Sequence, residues 1–346
     1  MKRLVLAPSL CLLLSTTAAL PAQQFDQVVP LKGSTSSGVI TNETVTNVEI
    51  EVRGVKREIP INEIRRVTFG DEPTDLKRGR EHVLTGNFEA GLDDLNKVDP
   101  ASLTRTIIKR DYAFYRALAM GRLALSRGGD KTAANTAMLN FVRAAKDSYH
   151  ILEAAELLGD LAVSQADYAK AAYFYGVITS QSPWSDYKMW GGVLEGRALI
   201  AQKKFAEAQT KFDAVIGTND DSPAATEQKR VAEVGKAVCM TEQGQHEPAI
   251  AILKEIIAEN DPKSMDLFGH AYNALGRGHL KAKRDKDALL AYLHVDLLFY
   301  GNPEVHAEAL YHLSKLWDGA NHAERAVTAR NLLTTRYAGS PWAKLK

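Results

Sequence analysis

The sequence predicts a mainly α-helical protein of repeated antiparallel helix pairs, preceded by a small all-β domain. Two observations indicate the helical repeats: glycine and alanine recur at one fixed separation, and prolines recur with a similar period. A third observation, the alternation of apolar and charged residues before residue 70, indicates β-strands. The 346 residues, 45% hydrophobic and 25% charged, have the composition of a globular protein, which excludes a mainly disordered or multispanning chain.

Each clear repeat contains a glycine, an alanine twelve residues later and an aromatic residue four residues after the alanine. Two antiparallel helices approach closely where the facing residues are Gly or Ala, and an aromatic ring fills the space one turn further along. The three clearest copies are Gly159–Ala171–Tyr175, Gly196–Ala208–Phe212 and Gly276–Ala288–Tyr292. Each copy therefore predicts one pair of antiparallel helices.

Weaker copies extend the repeat over residues 73–346. The repeat alanine, replaced by glycine in the first copy, recurs every 37 to 43 residues, at Gly91, Ala134, Ala171, Ala208, Ala249, Ala288 and Ala326. Prolines that follow Ser, Asp or Asn, and so suit a capped helix start, recur every 38 to 41 residues. They are Pro183, Pro223, Pro262, Pro303 and Pro341. The two series predict about seven helix pairs, and a generic helical bundle is the alternative.

This spacing resembles the tetratricopeptide (TPR) motif, in which Leu-Gly is followed by Ala-x3-Phe and then proline. With its ending Tyr337-Ala338-Gly339-Ser340-Pro341, the chain looks like the exported bacterial TPR proteins of the cell envelope. The resemblance implies a TPR-like α-solenoid whose first helices line a concave groove, with ligand contacts at fixed positions of those helices. The groove residues so implied are Glu153, Glu156, Asp160, Trp190, Arg197, His270, Asn273, Arg277 and Tyr311.

Residues 23–72 form the predicted β domain. Val48, Ile50 and Val52 alternate with charged residues, as in a strand with one buried face. The predicted strands are Val28–Leu31, Gly38–Thr41, Val45–Arg53, Arg57–Ile61 and Ile64–Phe69. Five short strands are most economically arranged as a small, partly closed barrel, and the segment resembles SH3-like or LSm-like barrels. Such barrels can bind RNA or peptides, but six basic against eight acidic residues disfavour RNA here.

Residues 1–22 are predicted to be a signal peptide. Lys2 and Arg3 precede an uncharged, largely apolar stretch, and small residues near Ala22 offer a cleavage site. We therefore expect a cleaved, exported, periplasmic protein, with an uncleaved membrane anchor as the alternative. Cys239 is then the one cysteine of the mature chain, which we expect to be a small core residue.

The aromatic segment at residues 183–190 joins the third and fourth copies and has two interpretations. Its rings form either an exposed recognition loop or a wedge between adjacent repeats, and the wedge is the interpretation favoured here.

The sequence contains none of the familiar catalytic motifs: no Gly-x-Ser-x-Gly, His-Glu-x-x-His, phosphate-binding loop or Cys-x-x-Cys. The net charge of +1 gives no chain-wide field that would attract nucleic acid. We therefore predict a non-enzymatic scaffold without cofactor or metal that binds protein or peptide partners. No nucleic-acid partner is expected, no small-molecule substrate is evident, and the oligomeric state is left open.

Three alternatives remain at this point. The chain could be an accessory subunit of an envelope enzyme, or an enzyme with an unrecognised site. It could also be a ligand- or nucleic-acid-binding barrel that uses the helical repeats only to oligomerise.

Overall fold

The computed structural model describes residues 25–345, so the predicted signal peptide lies outside the described residues. Within that range, five strands are followed by fourteen α-helices arranged as seven consecutive pairs, and 68% of the described residues are helical, short 3-10 helices included. The predictions of a mainly helical repeat fold and of an N-terminal β region are therefore confirmed.

The strands are β1 (Asp26–Pro30), β2 (Ser36–Glu43), β3 (Asn47–Val52), β4 (Val55–Pro60) and β5 (Ile64–Thr68). The first helices of the seven pairs are α1 (Thr74–Leu84), α3 (Thr106–Ser126), α5 (Ile151–Ser164), α7 (Ser185–Ala201), α9 (Pro223–Glu242), α11 (Met265–Lys281) and α13 (Pro303–Gly319). The second helices are α2 (Phe88–Leu95), α4 (Lys131–Ala144), α6 (Tyr168–Gln181), α8 (Phe205–Ile216), α10 (His246–Glu259), α12 (Asp285–Leu298) and α14 (Ala323–Arg336).

The strands form one antiparallel sheet in the order β4-β3-β2-β1-β5. Its edge strands β4 and β5 do not pair with each other in the described part of the chain, so the sheet is open and the predicted partly closed barrel is not confirmed. The physical reason is that helices cover the apolar face: Val28, Ile50 and Val67 share one hydrophobic cluster with Leu76 of α1 and Phe114 of α3. Because helices bury that face, closing the sheet on itself is unnecessary.

A buried ionic cluster joins the sheet to the first helices. Arg80 of α1 is 1% exposed and pairs with Glu72 and Asp111. Its Nη1 also donates to the carbonyl oxygen of Val67 in β5, at 3.1 Å. Asp111 of α3 accepts a hydrogen bond from the hydroxyl of Tyr149, at 2.8 Å. The cluster therefore fixes β5 relative to α1, α3 and the start of α5.

The predicted contact between glycine and aromatic residue is present in the clear copies. A β-carbon built on Gly159 would lie 2.2 Å from the ring of Tyr175, and one built on Gly196 would lie 2.6 Å from the ring of Phe212. The third clear copy has the same arrangement at 2.7 Å. Since real β-carbons do not approach other atoms so closely, these positions require glycine.

Every helix pair contains one residue with positive φ in the turn between its two helices. These turn residues are Gly86, Gly128, Ala166, Lys203, Gly244, Lys283 and Asn321. They define the register of the seven copies directly. The series is not evident in the sequence because four of the seven residues are not glycine.

Replacing a non-glycine turn residue by glycine is expected to stabilise the protein. For Ala166→Gly, Lys203→Gly or Lys283→Gly we expect the free energy of unfolding to rise by about 0.5–1 kcal/mol. Left-handed backbone strains a residue that has a β-carbon, and glycine removes that strain. The gain is partial because glycine also loses more backbone entropy on folding. Urea unfolding measures the change. Gly244→Ala is the matched control and should lower stability, because φ at this position is +88°. The added methyl group would contact nothing within 4 Å, so the loss would report the backbone conformation alone. Unchanged stability in all four variants would contradict these turn conformations.

The stack of pairs curves with its first helices on the inside. Successive first helices pack against one another, as α7 does on α9 and α9 on α11, whereas successive second helices show no comparable packing. The last pair returns to the second pair: the backbone N–H of Gly339, after α14, donates to the carbonyl oxygen of Ser126, at the end of α3, at 2.9 Å. The stack therefore curls back on itself, and we call its concave side, lined by the first helices, the interior.

Two further expectations concern single residues and the membrane. Cys239 is fully buried in α9, and burial raises the pKa of its thiol to about 12, so its predicted role as a core residue is confirmed. Among residues 25–345, no helix combines the length and the apolar character needed to cross a membrane.

Candidate functional site

One position of the first helices, six residues before the turn residue, carries mostly basic side chains. Its occupants are Arg80, Arg122, Asp160, Arg197, Val238, Arg277 and Lys315. Ion pairs at this position join one first helix to the next, and Arg80 pairs in addition with Glu72, which precedes α1. Arg122 of α3 lies 2.8 Å from Asp160 and 3.5 Å from Glu156, both on α5. Arg277 of α11 pairs in the same way with Glu308 of α13.

Arg197 of α7 departs from this pattern. It forms no ion pair within 4.0 Å in the described part of the chain. The sequence of the next first helix explains why, because α9 has valines at 231, 234 and 238, where α5 has Glu153, Glu156 and Asp160. The guanidinium group of Arg197 is therefore left without a close carboxylate.

Arg197 nevertheless influences carboxylates from three helices. Burial raises the pKa of Glu156 on α5 and of Glu304 on α13, and the positive charge of Arg197 opposes that rise. The pKa of Asp266 on α11 is lowered by His270 and Asn302, with a smaller contribution from Arg197. Carboxyl groups of three helices therefore lie around Arg197. Partial removal from bulk water between the helices raises the pKa of Glu304, although the residue keeps an exposed surface.

His270 of α11 lies in the same interior. Burial, followed by the charge of Arg197, lowers the pKa of His270 to about 4, although Asp266 lies 3.7 Å from its Nε2. The imidazole is therefore neutral at physiological pH. The interior thus combines a cation without a close partner, several carboxylates and a neutral histidine.

Removing the positive charge of Arg197 is expected to raise the pKa of His270. In Arg197→Gln, the titration of the imidazole Cε1 proton, followed by NMR, should have its midpoint above that of the unmodified protein. Arg330→Gln, at an exposed position of α14, should leave the midpoint unchanged. The same midpoint in both variants would show that Arg197 is not near His270.

The same substitution should alter how stability depends on pH. The folded-state pKa of His270, about 4, is below the ordinary value of 6.5, so the unfolded chain binds more protons between these values. The stability that neutral His270 contributes is therefore present above pH 6.5 and is lost as the pH falls toward 4. We expect Arg197→Gln to lose less stability over this window.

A cleft of about 320 Å³ lies where β5 meets α5 and α7. The consecutive residues Ile64, Arg65, Arg66 and Val67 of β5 all line it. Because successive side chains of a strand point to opposite faces, a cleft lined by four consecutive residues runs along the strand edge. No strand of the described residues pairs with that edge. We call this space the β5 cleft.

The opposite wall of the β5 cleft includes Glu153 and Glu156 of α5 and Tyr187 and Trp190 of α7. The two aromatic rings meet edge to face, with centroids 5.4 Å apart. Burial raises the pKa of both carboxyl groups, that of Glu156 to about 7. The aromatic segment at residues 183–190 thus contains the start of α7, and two of its rings border the cleft.

The structure brings together seven of the nine predicted groove residues. Glu153, Glu156 and Trp190 line the β5 cleft, and the interior contains the other four. Those four are Asp160, Arg197, His270 and Arg277.

The other two predicted groove residues are engaged in packing. Asn273 is 2% exposed, and its Nδ2 donates to the carbonyl oxygen of Val305, at 2.8 Å. The ring of Tyr311 lies 5.5 Å from that of Trp342, which follows the last helix.

Sequence reasoning missed Arg122, Glu304 and β5 as contributors to these surfaces. Counting back from the repeat alanine assumes that the alanine lies at the same distance from the turn residue in every pair. The second pair has one additional residue between Gly128 and Ala134, so this count does not reach Arg122. Counting from the turn residue places Arg122 in register with Asp160 and Arg197. No group of three or more His, Cys, Asp or Glu residues in the described range is placed to hold a metal ion.

Comparison with known proteins defines the class as a helical-repeat protein. Residues 232–264, from α9 through α10, match the tetratricopeptide repeat family. The chain is similar in fold to a tetratricopeptide repeat protein from Parabacteroides merdae, with 14% identity, a TM-score of 0.50, and coverage of 78% of this chain and 96% of that one. It is also similar to PilW, a type IV pilus biogenesis factor, with 17% identity, a TM-score of 0.42 and coverage of 70% and 98%. No curated protein matches the sequence.

Proposed function

We propose that this protein is a non-enzymatic scaffold that binds an extended segment of a protein partner within its concave interior. The observation that carries this proposal is Arg197, a cation that faces carboxylates from three helices without a close ion pair. In a helical-repeat fold each pair buries its apolar side against its neighbours, so the inner face is free to bind partners. A carboxylate of the partner would provide Arg197 with the partner it lacks.

The shape of the interior restricts what can bind there. Because the last pair contacts the second pair through Gly339 and Ser126, the groove is closed to a folded domain at that point. An extended peptide segment is narrow enough and presents side chains at regular intervals along its length. The match of residues 232–264 to the tetratricopeptide repeat family supports protein binding as the general role.

Export to the cell envelope is the second part of the proposal. It rests on residues 1–22, in which two basic residues precede an uncharged apolar stretch with small residues at its end. The partner would then be a protein of the periplasm or of a membrane that faces it.

The experiment compares capture of envelope proteins by the unmodified chain and by two charge-reversal variants. Arg197→Glu should lose the captured partner, since losing a charge-assisted contact and adding a like charge reduce affinity by about tenfold or more. Arg330→Glu makes the same charge change on an exposed position of α14 and should retain the partner. Circular dichroism verifies that both variants are folded. A partner retained by folded Arg197→Glu would contradict the proposal.

A further inference from the structure

The β5 cleft combines a strand edge, aromatic rings and carboxylates, and this combination points to a particular partner chemistry. We propose that it binds an extended segment of a partner that pairs with β5 and places a lysine or arginine side chain against Trp190, Tyr187, Glu153 and Glu156. The inference rests on the proposed function, because it names the chemistry of the partner.

The first argument is the strand edge. The edge of β5 that faces the cleft is not paired with a strand of the described residues, and such edges bind extended peptides by adding a strand. Arg80 already donates to the carbonyl oxygen of Val67. The incoming segment would therefore pair with β5 on the N-terminal side of Val67, alongside Arg65.

The second argument is the balance of charge on the α5 wall. Glu153 forms no ion pair in the part of the chain that the structure describes. Glu156 lies 3.5 Å from Arg122, but Arg122 is closer to Asp160, at 2.8 Å. Arg122 is therefore shared by Glu156 and Asp160. Burial raises the pKa of Glu153 and Glu156, that of Glu156 to about 7, and an incoming cation would favour the ionised form of both carboxyl groups.

The arginines of β5 do not neutralise that charge. Arg66 pairs with Glu81 on α1, at 2.7 Å. The Nη2 of Arg65 donates to the carbonyl oxygen of Leu31, at 3.2 Å. Both guanidinium groups thus bind partners other than Glu153 and Glu156. These two carboxyl groups can therefore bind a lysine or arginine side chain of a partner.

The third argument is the pair of aromatic rings beside the carboxylates. The faces of tryptophan and tyrosine rings attract ammonium and guanidinium groups, and a nearby carboxylate adds a charge-assisted hydrogen bond. Tyr187 and Trp190 lie edge to face, so they present ring surfaces in two orientations. A neutral or acidic side chain would gain neither interaction, and an acidic one would be repelled.

The experiment measures binding of a defined peptide to the full chain by isothermal titration calorimetry. The probe is a blocked seven-residue peptide of alternating threonine and valine with lysine at its centre. Two further peptides carry norleucine or glutamate in place of the lysine. We expect the lysine peptide to bind at least about tenfold more tightly than the norleucine peptide, which is the effect of one cation–π contact with an ion pair. Methylating the backbone nitrogens that face β5 should weaken binding of the lysine peptide, because it removes the donors of the added strand.

Protein variants locate the site. Glu153→Gln combined with Glu156→Gln should abolish the preference for lysine, and Trp190→Leu should reduce it. The double variant should fold, because burial already disfavours the ionised forms of both carboxyl groups. Glu324→Gln removes an exposed carboxylate of α14, outside the cleft lining, and should preserve the preference. Equal binding of the lysine and norleucine peptides, a lysine preference that survives the double variant, or unaltered binding of the methylated peptide would each overturn the inference.

The outcome is separable from that of the proposed function. If Arg197→Glu loses the captured envelope partner while the peptides show no lysine preference, the scaffold proposal stands and the present inference fails. If the preference is present and maps to Glu153 and Glu156 while Arg197→Glu retains the partner, the cleft binds a basic segment and binding within the interior is contradicted.

Discussion

Replacing Arg80 by methionine lowers the free energy of unfolding by about 3–5 kcal/mol, because Glu72 and Asp111 are then left buried without their cation. All three side chains are almost completely inaccessible to solvent. The substitution also removes the hydrogen bond to Val67, which helps to hold β5 in place. Urea unfolding at pH 7, monitored by circular dichroism, measures the loss.

Arg78→Met is the matched control for this prediction. Arg78 lies on the same helix and pairs with Asp75 and Asp94, but its side chain is 48% exposed. Its loss should cost far less stability, because solvent replaces much of an exposed ion pair. Similar losses in the two variants would mean that the cluster around Arg80 does not connect the sheet to the helices as described.

Replacing Gly159 by alanine lowers the free energy of unfolding by about 2 kcal/mol, because overpacking a close helix contact outweighs the higher helix propensity of alanine. The added β-carbon would lie 2.2–2.7 Å from three atoms of the Tyr175 ring. That ring cannot move freely, because its hydroxyl donates to Asp160 at 2.9 Å. Urea unfolding measures the change.

Gly176→Ala provides a control with the opposite sign. Gly176 lies in the middle of α6, and a β-carbon there would contact nothing within 4 Å. We expect this variant to gain up to about 1 kcal/mol from helix propensity alone. A double variant, Gly159→Ala with Tyr175→Leu, should lose less than the two single variants together, since the smaller side chain relieves the clash. Additive losses would contradict the contact.

The repeats could be predicted because every copy meets the same packing condition. A glycine opposite an aromatic ring, as at Gly159 and Tyr175, leaves a fixed spacing in the sequence wherever two helices must approach closely. The turn residues meet an equally strict backbone condition but leave a weaker trace, because alanine, lysine and asparagine occupy some of the left-handed positions. The helix contacts could therefore be predicted from the sequence more readily than the turn conformations.

The open sheet, in place of the predicted barrel, and the β5 cleft could not be predicted for a different reason. The alternation at Val48 and Ile50 shows that one face of a strand is buried, but the pattern is the same whether strands or helices cover it. The β5 cleft requires β5, α5 and α7 to meet, and no local pattern states which distant elements become neighbours. The same holds for the contact between Gly339 and Ser126 at which the stack curls back on itself.

Whether a predicted binding residue is available to a partner depends on its register in the helix and on the side chains that neighbour it. Asn273 and Tyr311 belong to the same helical series as Arg277, yet neighbouring groups engage them in packing. Arg197 is left without a close ion pair because the following first helix, α9, has valines at the positions where α5 has carboxylates. Identifying an available side chain therefore requires the sequence of the adjacent repeat as well as its own.

Photo-crosslinking in intact cells tests the central claim of both proposals most directly, namely that a protein partner contacts surfaces formed by the first helices of the pairs. A photoreactive benzoylphenylalanine replaces either Trp190, in the β5 cleft, or Tyr173, whose side chain is exposed on the second helix α6. The account predicts a protein adduct from position 190 and none from position 173. An adduct from position 173 alone would contradict it.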